Sequence, residues 1–440
     1  MTLSIVMFGI MFLFLLSGLW IGFSLIAAAI SGMLLYQFNL PPTLSIWSKI
    51  GSLIANSVWN SMDSFSLTAL PLFVLMGEVL YNTAISTKLL NGLLPWFQRI
   101  PGKLLHINVV ACSLFAAVSG SSAATTATVG KITLEELSRR GYNRDLALGS
   151  LAGAGTLGFL IPPSLIMIIY GVLSDTSIGK LFIAGIIPGL ILGGMYSTFI
   201  IIRALINPDV APREREKFTF IEKIKQSAEL FPVLFLIFIV LGGIYLGFTT
   251  PTEAAAIGVI GSYLLALIFR NLTWKIFVQS LLNAVMTTCM ICFIICGAAF
   301  LSQVVGFTGI ARALSEYIAE LHLSPYVLIF VIGLMYLFLG MLLDGISIVV
   351  MTLPIVLPIV TAAGFKPLWF GIFLVIMVEL SQITPPVGFS LFVIQGISNE
   401  DIGRILKATF PFFCIMILMV IILTLFPEIV FYLPQKMIAK

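Results

Sequence analysis

The amino-acid sequence is dominated by a succession of long apolar runs. Stretches of roughly 18 or more apolar residues, of which 230–248 is one, are long enough to cross the hydrocarbon core of a bilayer as a helix. Hydrophobic residues make up 60% of the 440-residue chain and charged residues only 10%, whereas about a quarter of the residues of a soluble domain are charged. The apolar stretch 2–16 has neither a basic n-region nor a small-residue cleavage site, so it predicts a helix rather than a signal peptide. The sequence therefore predicts an all-α polytopic membrane protein.

Several function classes find no support in the residues. The net charge is only +4, and no motif typical of nucleic-acid binding is present. Cys289 and Cys292 form a C-x-x-C pair, but they share one helical face with Cys296 in an apolar run without a histidine or an acid beside them, which favours packing over metal binding. An embedded enzyme would need a paired-carboxylate, Ser–His or metal-ligand constellation, and the sequence offers none. We therefore expect no enzymatic activity.

The two halves of the chain repeat each other around a polar stretch at residues 207–229. Pro162-Pro163 aligns with Pro385-Pro386, and the same offset brings Pro188 onto Pro411. At a nearby offset, the small-residue stretch SGSSAATT falls on LDGISIVV, residues 343–350. Such internal repeats are typical of secondary transporters, in which they are related by inverted topology. The sequence predicts a duplication.

The distribution of basic residues predicts the orientation of the two repeats. Most of the 23 lysines and arginines lie at one face of the membrane only if the hairpins 104–138 and 324–361 enter the membrane from opposite sides. By the positive-inside rule this face is the cytoplasm. The linker 207–229 is then cytoplasmic, the N-terminus is periplasmic, and the two repeats are inverted.

The predicted domain organisation follows from these assignments. The first repeat, 1–206, comprises scaffold helices (3–38), an amphipathic surface arm helix (44–60), a re-entrant hairpin (104–138) and a broken helix (146–174). After the linker 207–229, the second repeat, 230–440, comprises scaffold helices (230–269), a hairpin (324–361) and a broken helix (368–397).

The stretch SGSSAATTATVG, residues 119–130, is polar in an otherwise apolar region. Non-helical backbone survives at membrane depth only where protein or a water-filled cavity covers it, and helices broken at the midplane offer carbonyls to cations and N–H groups to anions. Each proline pair removes backbone hydrogen bonds and so predicts a break in its crossing. Hydroxyl and carbonyl oxygens suit a hard cation such as sodium. Close helix packing is the alternative, but the matched stretch in the second repeat favours a hairpin tip that binds ligands.

Acidic residues within the apolar regions are costly unless they are paired or functional. Asp344 lies at the second hairpin tip, where we expect it to bind a cation or to accept hydrogen bonds. Glu253 follows Pro251 at a helix start, where an acid complements the helix dipole. For Glu78 and Glu379 the sequence leaves ion-pair and transport roles equally open.

Several stretches of the chain carry a family resemblance. They are PLFVLMGEVL (71–80), SGSSAATTATVG (119–130), GTLGFLIPPSLIMIIYG (155–171), FTTPTEAAAIG (248–258), LDGISIVVMTLPIVLPIV (343–360) and ITPPVGFSLFVI (383–394). Together they cover both repeats. The sequence resembles the large membrane subunit (the M, or DctM-like, component) of a tripartite ATP-independent periplasmic (TRAP) transporter, a member of the ion-transporter superfamily.

The resemblance implies a function and a set of partners. Transporters of this family import organic anions, typically carboxylates such as C4-dicarboxylates or sialic acids, across the bacterial inner membrane. A sodium gradient drives uptake, so sodium is co-transported, and a soluble periplasmic substrate-binding protein (P) delivers the substrate. No extra four-helix unit precedes the first repeat, so the small membrane subunit (Q) is expected as a separate chain. The fold is expected to work as an elevator, in which a transport domain carrying both hairpins slides against a scaffold.

The same resemblance, combined with position in the two repeats, implies site residues. The sodium-binding set is Ser119, Gly120, Ser122, Gly155, Thr156 and Pro162 at the first hairpin tip and break, and Asp344, Gly345, Ser347, Thr384 and Pro385 at the second. The substrate-binding set is Ser119, Ser121, Ser122, Thr126, Ser164, Ser347 and Gly388.

The main alternative is a stand-alone carboxylate symporter or antiporter of the same superfamily, working without a binding protein. A passive channel is disfavoured because two matched broken helices indicate alternating access. The sequence does not distinguish a sialic acid from a dicarboxylate.

Overall fold

The computed structural model describes residues 2–36, 46–83, 92–212, 219–228, 230–309, 316, 324–385 and 388–437. These residues form helices without a β-strand, and 7 of the helices are long and apolar enough to cross a membrane. The prediction of an all-α polytopic membrane protein is confirmed. Parts of some predicted segments lie outside the described residues, namely 37–38 of the scaffold helices, 44–45 of the arm, 213–218 and 229 of the linker, and Pro386 of the second proline pair.

The first half of the chain begins with two scaffold helices, an arm and a crossing helix, followed by a hairpin, a broken helix and a long helix. The bounds are α1 Thr2–Leu16, α2 Ile21–Tyr36, α3 Ile46–Met62, α4 Ala69–Asn82, α5 His106–Ser119, α6 Ser122–Arg139, α7 Arg144–Gly155, α8 Leu157–Leu160, α9 Leu165–Leu173 and α10 Ile178–Ile206. Short 3₁₀ turns at Phe65–Thr68, Leu94–Arg99, Lys103–Leu105 and Pro208–Val210 connect some of them.

The second half presents the same order after a short linker helix. The bounds are α11 Phe220–Ser227, α12 Phe231–Tyr245, α13 Pro251–Ile268, α14 Trp274–Phe307, α15 Pro325–Gly340, α16 Gly345–Ala362, α17 Pro367–Gln382, α18 Phe389–Ser398, α19 Ile402–Leu425 and α20 Glu428–Lys436. Hairpin α15–α16 corresponds to hairpin α5–α6, and the interrupted helix α17–α18 corresponds to α7–α9. The long helices α10 and α19 each contain an internal proline, Pro188 and Pro411 respectively.

Local sequence explains where the hairpins turn. Helix α5 ends at Gly120, which has φ +61°, a conformation that glycine adopts without steric cost. Ser121 then caps α6 by accepting a hydrogen bond from the N–H of Ala124. At the second tip, Asp344 caps α16 through the N–H groups of Ile346 and Ser347. Two residues therefore suffice to reverse the chain at the first tip.

The breaks in the two interrupted helices follow the prolines. Helix α8 ends at Leu160, and α9 begins only after Ile161–Ser164, because Pro162 and Pro163 cannot donate backbone hydrogen bonds. In the second repeat, α17 ends at Gln382 and α18 begins at Phe389, after Gly388 with φ +36°. The first crossing is therefore unwound at its proline pair, and in the second the helix ends before Pro385.

Helix α17 lies at the centre of the molecule, whereas the scaffold faces outward. Every residue of α17 from Trp369 to Gln382 is buried, as expected for a helix that is apolar on all sides. In contrast, large apolar side chains of α12 and α13 are exposed, with Phe238 70% and Ile260 62% accessible. These helices therefore present the surface that lipid would cover.

Glycines allow the broken helix of the first repeat to contact α19 closely. A Cβ at Gly149 would overlap the carbonyl oxygen of Ala408, and one at Gly153 would lie 2.7 Å from the ring of Phe412. The two glycines are one turn apart, the small-xxx-small spacing that brings membrane helices together. Interactions between the two halves of the chain thus depend on the absence of side chains at these positions.

We expect Gly149→Ala to destabilise the folded protein, because the added methyl group meets backbone rather than a mobile side chain. Overpacking of this kind costs about 1–3 kcal/mol. The measurement is the thermal unfolding midpoint in detergent. Gly194→Ala in α10 is the matched control, since nothing lies within 4 Å of the new methyl group, and its midpoint should not fall. Equal midpoints for both variants would contradict the close contact.

Candidate functional site

The first hairpin tip lies directly against the break in α7–α9. The carbonyl oxygen of Gly120 accepts a hydrogen bond from the N–H of Leu165 at 3.2 Å. A Cβ at Gly158 would lie 2.5 Å from the Cα of Ser122. One turn further along α6, the hydroxyl of Thr126 occupies the space that a side chain at Gly155 would need. The tip and the break therefore run antiparallel in close contact, and the glycines on the break permit it.

A carboxylate from the second repeat completes this contact. Glu379 of α17 is 1% exposed, and its Oε1 atom accepts hydrogen bonds from the hydroxyl of Ser122 and, at 2.7 Å, from the N–H of Phe159. One oxygen thus joins the hairpin tip, the short helix α8 and the buried helix α17. Sequence reasoning left the role of Glu379 open because its partners are far away along the chain.

Other predicted residues of the first site have local partners. The hydroxyls of Ser119 and Thr125 are hydrogen-bonded at 2.8 Å. The Thr156 hydroxyl donates to the carbonyl of Gly153 at 2.6 Å and lies 3.3 Å from the hydroxyl of Tyr196 in α10. The Thr156 side chain is therefore directed towards α10. Pro162 is buried at the break, and Ser164 caps α9 by accepting from the N–H of Met167.

At the second hairpin tip, the hydrogen bonds of Asp344 and Ser347 are to each other and to the start of α16. Asp344 accepts from the N–H groups of Ile346 at 3.1 Å and Ser347 at 3.3 Å, and also from the Ser347 hydroxyl. A Cβ at Gly345 would meet Val378 and Ile166, which places this tip between α17 and α9.

The predicted residues at the second break are also bonded locally. The Thr384 hydroxyl donates to the carbonyl of Leu380 at 2.7 Å, and Gly388 lies against the carbonyl of Thr384. Among the described residues, no hydrogen bond joins Asp344 or Ser347 to Thr384 or Pro385. Close contacts and a hydrogen bond therefore join the two parts of the predicted first sodium site. At the second tip, a Cβ on Gly345 would lie 3.4 Å from the side-chain nitrogen of Gln382, next to the break.

Three helix N-termini meet between the tips. Helix α6 begins at Ser122, α9 at Leu165 and α16 at Gly345. Leu165 is hydrogen-bonded to Gly120, and its neighbour Ile166 lies 3.2 Å from the position of a Cβ on Gly345. Helix N-termini carry partial positive charge, which attracts anions. The N–H group of Leu165 is already bonded to Gly120, and Asp344 accepts from two N–H groups of α16. These helix ends therefore offer positive potential, without any lysine or arginine.

A cavity of about 830 Å³ opens along the outer part of α6. Its wall includes Thr128 and Lys131 of α6, together with Tyr81 at the end of α4, and it extends to Arg139 and Arg140. The helix that begins at the hairpin tip therefore also lines a large polar cavity. This cavity lies on the side of the molecule that the charge pattern predicts to be cytoplasmic.

Four charged residues connect the two broken helices at that surface. Arg144 at the start of α7 contacts Glu400 at 2.9 Å, and Arg404 of α19 contacts Asp145 at 2.5 Å and Glu400 at 3.1 Å. The hydrogen bond from Arg144, together with the charges of both arginines, lowers the pKa of the Glu400 carboxyl. The loops 140–144 and 399–401 are thus held together by charge.

We expect the stabilising effect of Glu400 to depend on pH. A carboxyl whose pKa is lowered in the folded protein stabilises the fold above its unfolded pKa, and the effect is lost as the pH falls through the folded value. Glu400→Gln should therefore lower the thermal unfolding midpoint at pH 7, and the difference from the unsubstituted protein should close as the pH falls below the ordinary glutamate value of 4.5. A difference that is independent of pH would contradict the ion pair.

The other undecided acid, Glu78 of α4, joins a polar network with α14. Its Oε2 atom accepts from the side-chain amides of Asn82 at 3.1 Å and Asn283 at 3.0 Å, and Ser280 accepts from Asn82 at 3.2 Å. A carboxylate bonded in this way connects α4 to α14.

Comparisons with known proteins agree with this architecture. A family model described as the tripartite ATP-independent periplasmic transporter, DctM component, matches residues 8–429. The C4-dicarboxylate TRAP transporter large permease protein DctM of Pseudomonas aeruginosa is 35% identical over 384 residues, which are 87% of this chain and 89% of that protein. The sialic acid TRAP transporter large permease protein SiaM of Vibrio cholerae is 29% identical over 424 residues, 96% of each chain.

A solved structure supports the fold alone. The MtrF protein of Neisseria gonorrhoeae, described as one of a class of antimetabolite efflux pumps, superposes with a TM-score of 0.62 at 13% identity, covering 92% of this chain and 94% of that one. The paired hairpins and interrupted helices of the described residues thus share the overall fold of that membrane protein.

The chain belongs to the DctM family, the large membrane subunits of TRAP transporters. It is a transporter component and not an enzyme, and large permeases of this family work with a substrate-binding protein and a small membrane subunit. The family resemblance predicted from the sequence is confirmed.

Proposed function

We propose that this protein imports a small organic anion, a carboxylate such as a C4-dicarboxylate or a sialic acid, across the bacterial inner membrane, driven by a sodium gradient. A periplasmic binding protein delivers the anion, and a separate small membrane subunit completes the transporter. The observation that carries the proposal is the contact of the first hairpin tip with the break in α7–α9, where the N-termini of α6 and α9 lie.

Sodium coupling is supported by the chemistry of the first tip. Ser119 is 8% exposed and Ser122 1%, and Gly120 between them lies against the carbonyl oxygen of Pro163 in the unwound backbone. Hydroxyl and carbonyl oxygens of this kind are the ligands that hard cations prefer. A cation bound there would stabilise the contact between the hairpin tip and the break. Because linkage is reciprocal, a tip fixed by sodium binds the anion more tightly, and the anion in turn raises sodium affinity.

Anion binding is supported by the helix N-termini at Ser122, Leu165 and Gly345. Their N–H groups supply positive potential in a region of low dielectric. Substrate recognition of this kind suits carboxylates in general, and it leaves selectivity among them to the shape of the site and to the binding protein. The relatives that transport C4-dicarboxylates and sialic acid set the two candidate substrate classes.

The 830 Å³ cavity along α6 supports the direction of transport. Lys131, Arg139 and Arg140 give its outer part basic side chains, although Glu136 pairs with both arginines. An elevator that carries the tip towards this side would open the anion site to the cavity. Release into the cytoplasm then follows.

The test is uptake of labelled carboxylates, sialic acid among them, by proteoliposomes that contain this chain and its small subunit. Four conditions combine an inward sodium gradient or its absence with the binding protein or its absence. We expect uptake only when both are present. Uptake with sodium but without the binding protein would identify a stand-alone symporter instead.

A further inference from the structure

Glu379 has an oxygen that the protein does not use. The Oε1 atom accepts two hydrogen bonds, whereas Oε2 is inaccessible to solvent and has no hydrogen-bond partner among the described residues. Helix α17 contains no lysine or arginine, and none of the ion pairs in the described ranges includes Glu379. A buried carboxylate that is not compensated is strongly unfavourable, so an ionised Glu379 requires a cation at Oε2.

A second buried oxygen at the same contact also lacks a partner among the described residues. Thr126 lies one turn from Ser122 on the same face of α6, and its hydroxyl is also buried without a partner in the described part of the chain. Two unpartnered oxygen groups therefore flank the contact between α6 and the break.

We propose that Glu379 is a sodium ligand, with Oε2 completing the sodium site formed by the first hairpin tip and the break. This inference rests on the proposed sodium coupling and adds a residue to it. Sodium bound there joins the hairpin of the first repeat to the broken helix of the second through a single carboxylate. Occupancy of the site then fixes α6, α8 and α17 relative to one another, and the N-terminus of α6 is one of those proposed to bind the anion.

The experiment measures sodium binding without transport. The full chain with its small subunit is purified in detergent, and the thermal unfolding midpoint is followed as sodium chloride replaces choline chloride at constant total salt. Sodium that binds only the folded protein raises the midpoint in a saturable way. Glu379→Gln keeps an acceptor for Ser122 and Phe159 but removes the charge. We expect the half-saturating sodium concentration of the Glu379→Gln variant to be at least about tenfold higher than that of the unsubstituted protein.

Two further variants make the result decisive. Glu78→Gln is the matched control, because that carboxylate also lies within the membrane region but already accepts two amide hydrogen bonds at Oε2, and its sodium response should equal that of the unsubstituted protein. Glu379→Asp keeps the charge but moves it away from the site, and it should weaken sodium binding severalfold. If the Glu379→Gln variant does not fold, the sodium response of Glu379→Asp tests the proposal instead.

Each outcome has a distinct meaning. An unchanged sodium response in Glu379→Gln, or in Glu379→Asp where only that variant folds, would overturn the proposal. A sodium response that Glu379→Gln removes, found together with uptake that does not need sodium, would support the ligand assignment while refuting the proposed coupling.

Discussion

Replacing Gly158 with alanine is expected to reduce sodium-driven uptake by about 5- to 150-fold, the equivalent of the 1–3 kcal/mol that overpacking costs. The new Cβ would lie 2.5 Å from the Cα and 2.6 Å from the N of Ser122, and 2.8 Å from the carbonyl carbon of Ser121. All three atoms belong to backbone and cannot rotate away. The hairpin tip must therefore move from the break, and the oxygens on either side no longer face a common ion.

The measurement is the initial rate of uptake in proteoliposomes, compared at equal amounts of inserted protein. Gly194→Ala in α10 serves as the control, because it adds the same methyl group to a helical glycine with open space around it. The control should transport normally. Normal uptake by Gly158→Ala would show that the tip and the break need not touch during transport.

Removal of the Asp344 carboxylate is the second change with a large expected effect. In Asp344→Ala, α16 loses its cap, which costs about 1 kcal/mol, and the second tip loses its acid. We expect sodium-stimulated uptake to disappear while the protein still inserts. Asp344→Asn separates the two roles, because asparagine caps helices about as well as aspartate but has no charge to offer a cation.

For Asp344→Asn we expect a thermal unfolding midpoint close to that of the unsubstituted protein, together with loss of sodium-stimulated uptake. Both quantities are measured on the same preparation. If Asp344→Asn transports normally and only Asp344→Ala fails, the carboxylate is a helix cap and no more. The predicted second sodium site would then contain no acidic residue that binds the cation.

Much of the fold could be predicted because the sequence of each segment by itself indicates a helix, a break or a turn. Apolar runs long enough for a bilayer indicate helices, and Pro162-Pro163 marks a break through the missing N–H groups of its own residues. Gly120 and Ser121 indicate a tight turn for equally local reasons. The duplication was visible because these local signals recur in the same order.

The site was less predictable because its geometry depends on distant residues. Nothing near Glu379 in the sequence reveals that its carboxylate accepts bonds from Ser122 and Phe159. Thr156 was assigned to the sodium site by its position at the break, and only the structure shows that its hydroxyl bonds to the carbonyl of Gly153 and contacts Tyr196. A hydroxyl in a helix has a carbonyl of the preceding turn within reach, and composition alone does not show which way it points.

The most direct test of the central claim, that the first hairpin tip holds the sodium and the anion, is the rate at which a cysteine there reacts with a thiol reagent. Ser121→Cys is introduced after the five native cysteines have been replaced, with Ser138→Cys at the exposed far end of α6 as the control. We predict that sodium slows labelling at position 121, that sodium with the transported anion slows it further, and that position 138 reacts at one rate throughout. Equal labelling rates at position 121 in sodium and in choline, with and without the anion, would contradict the account.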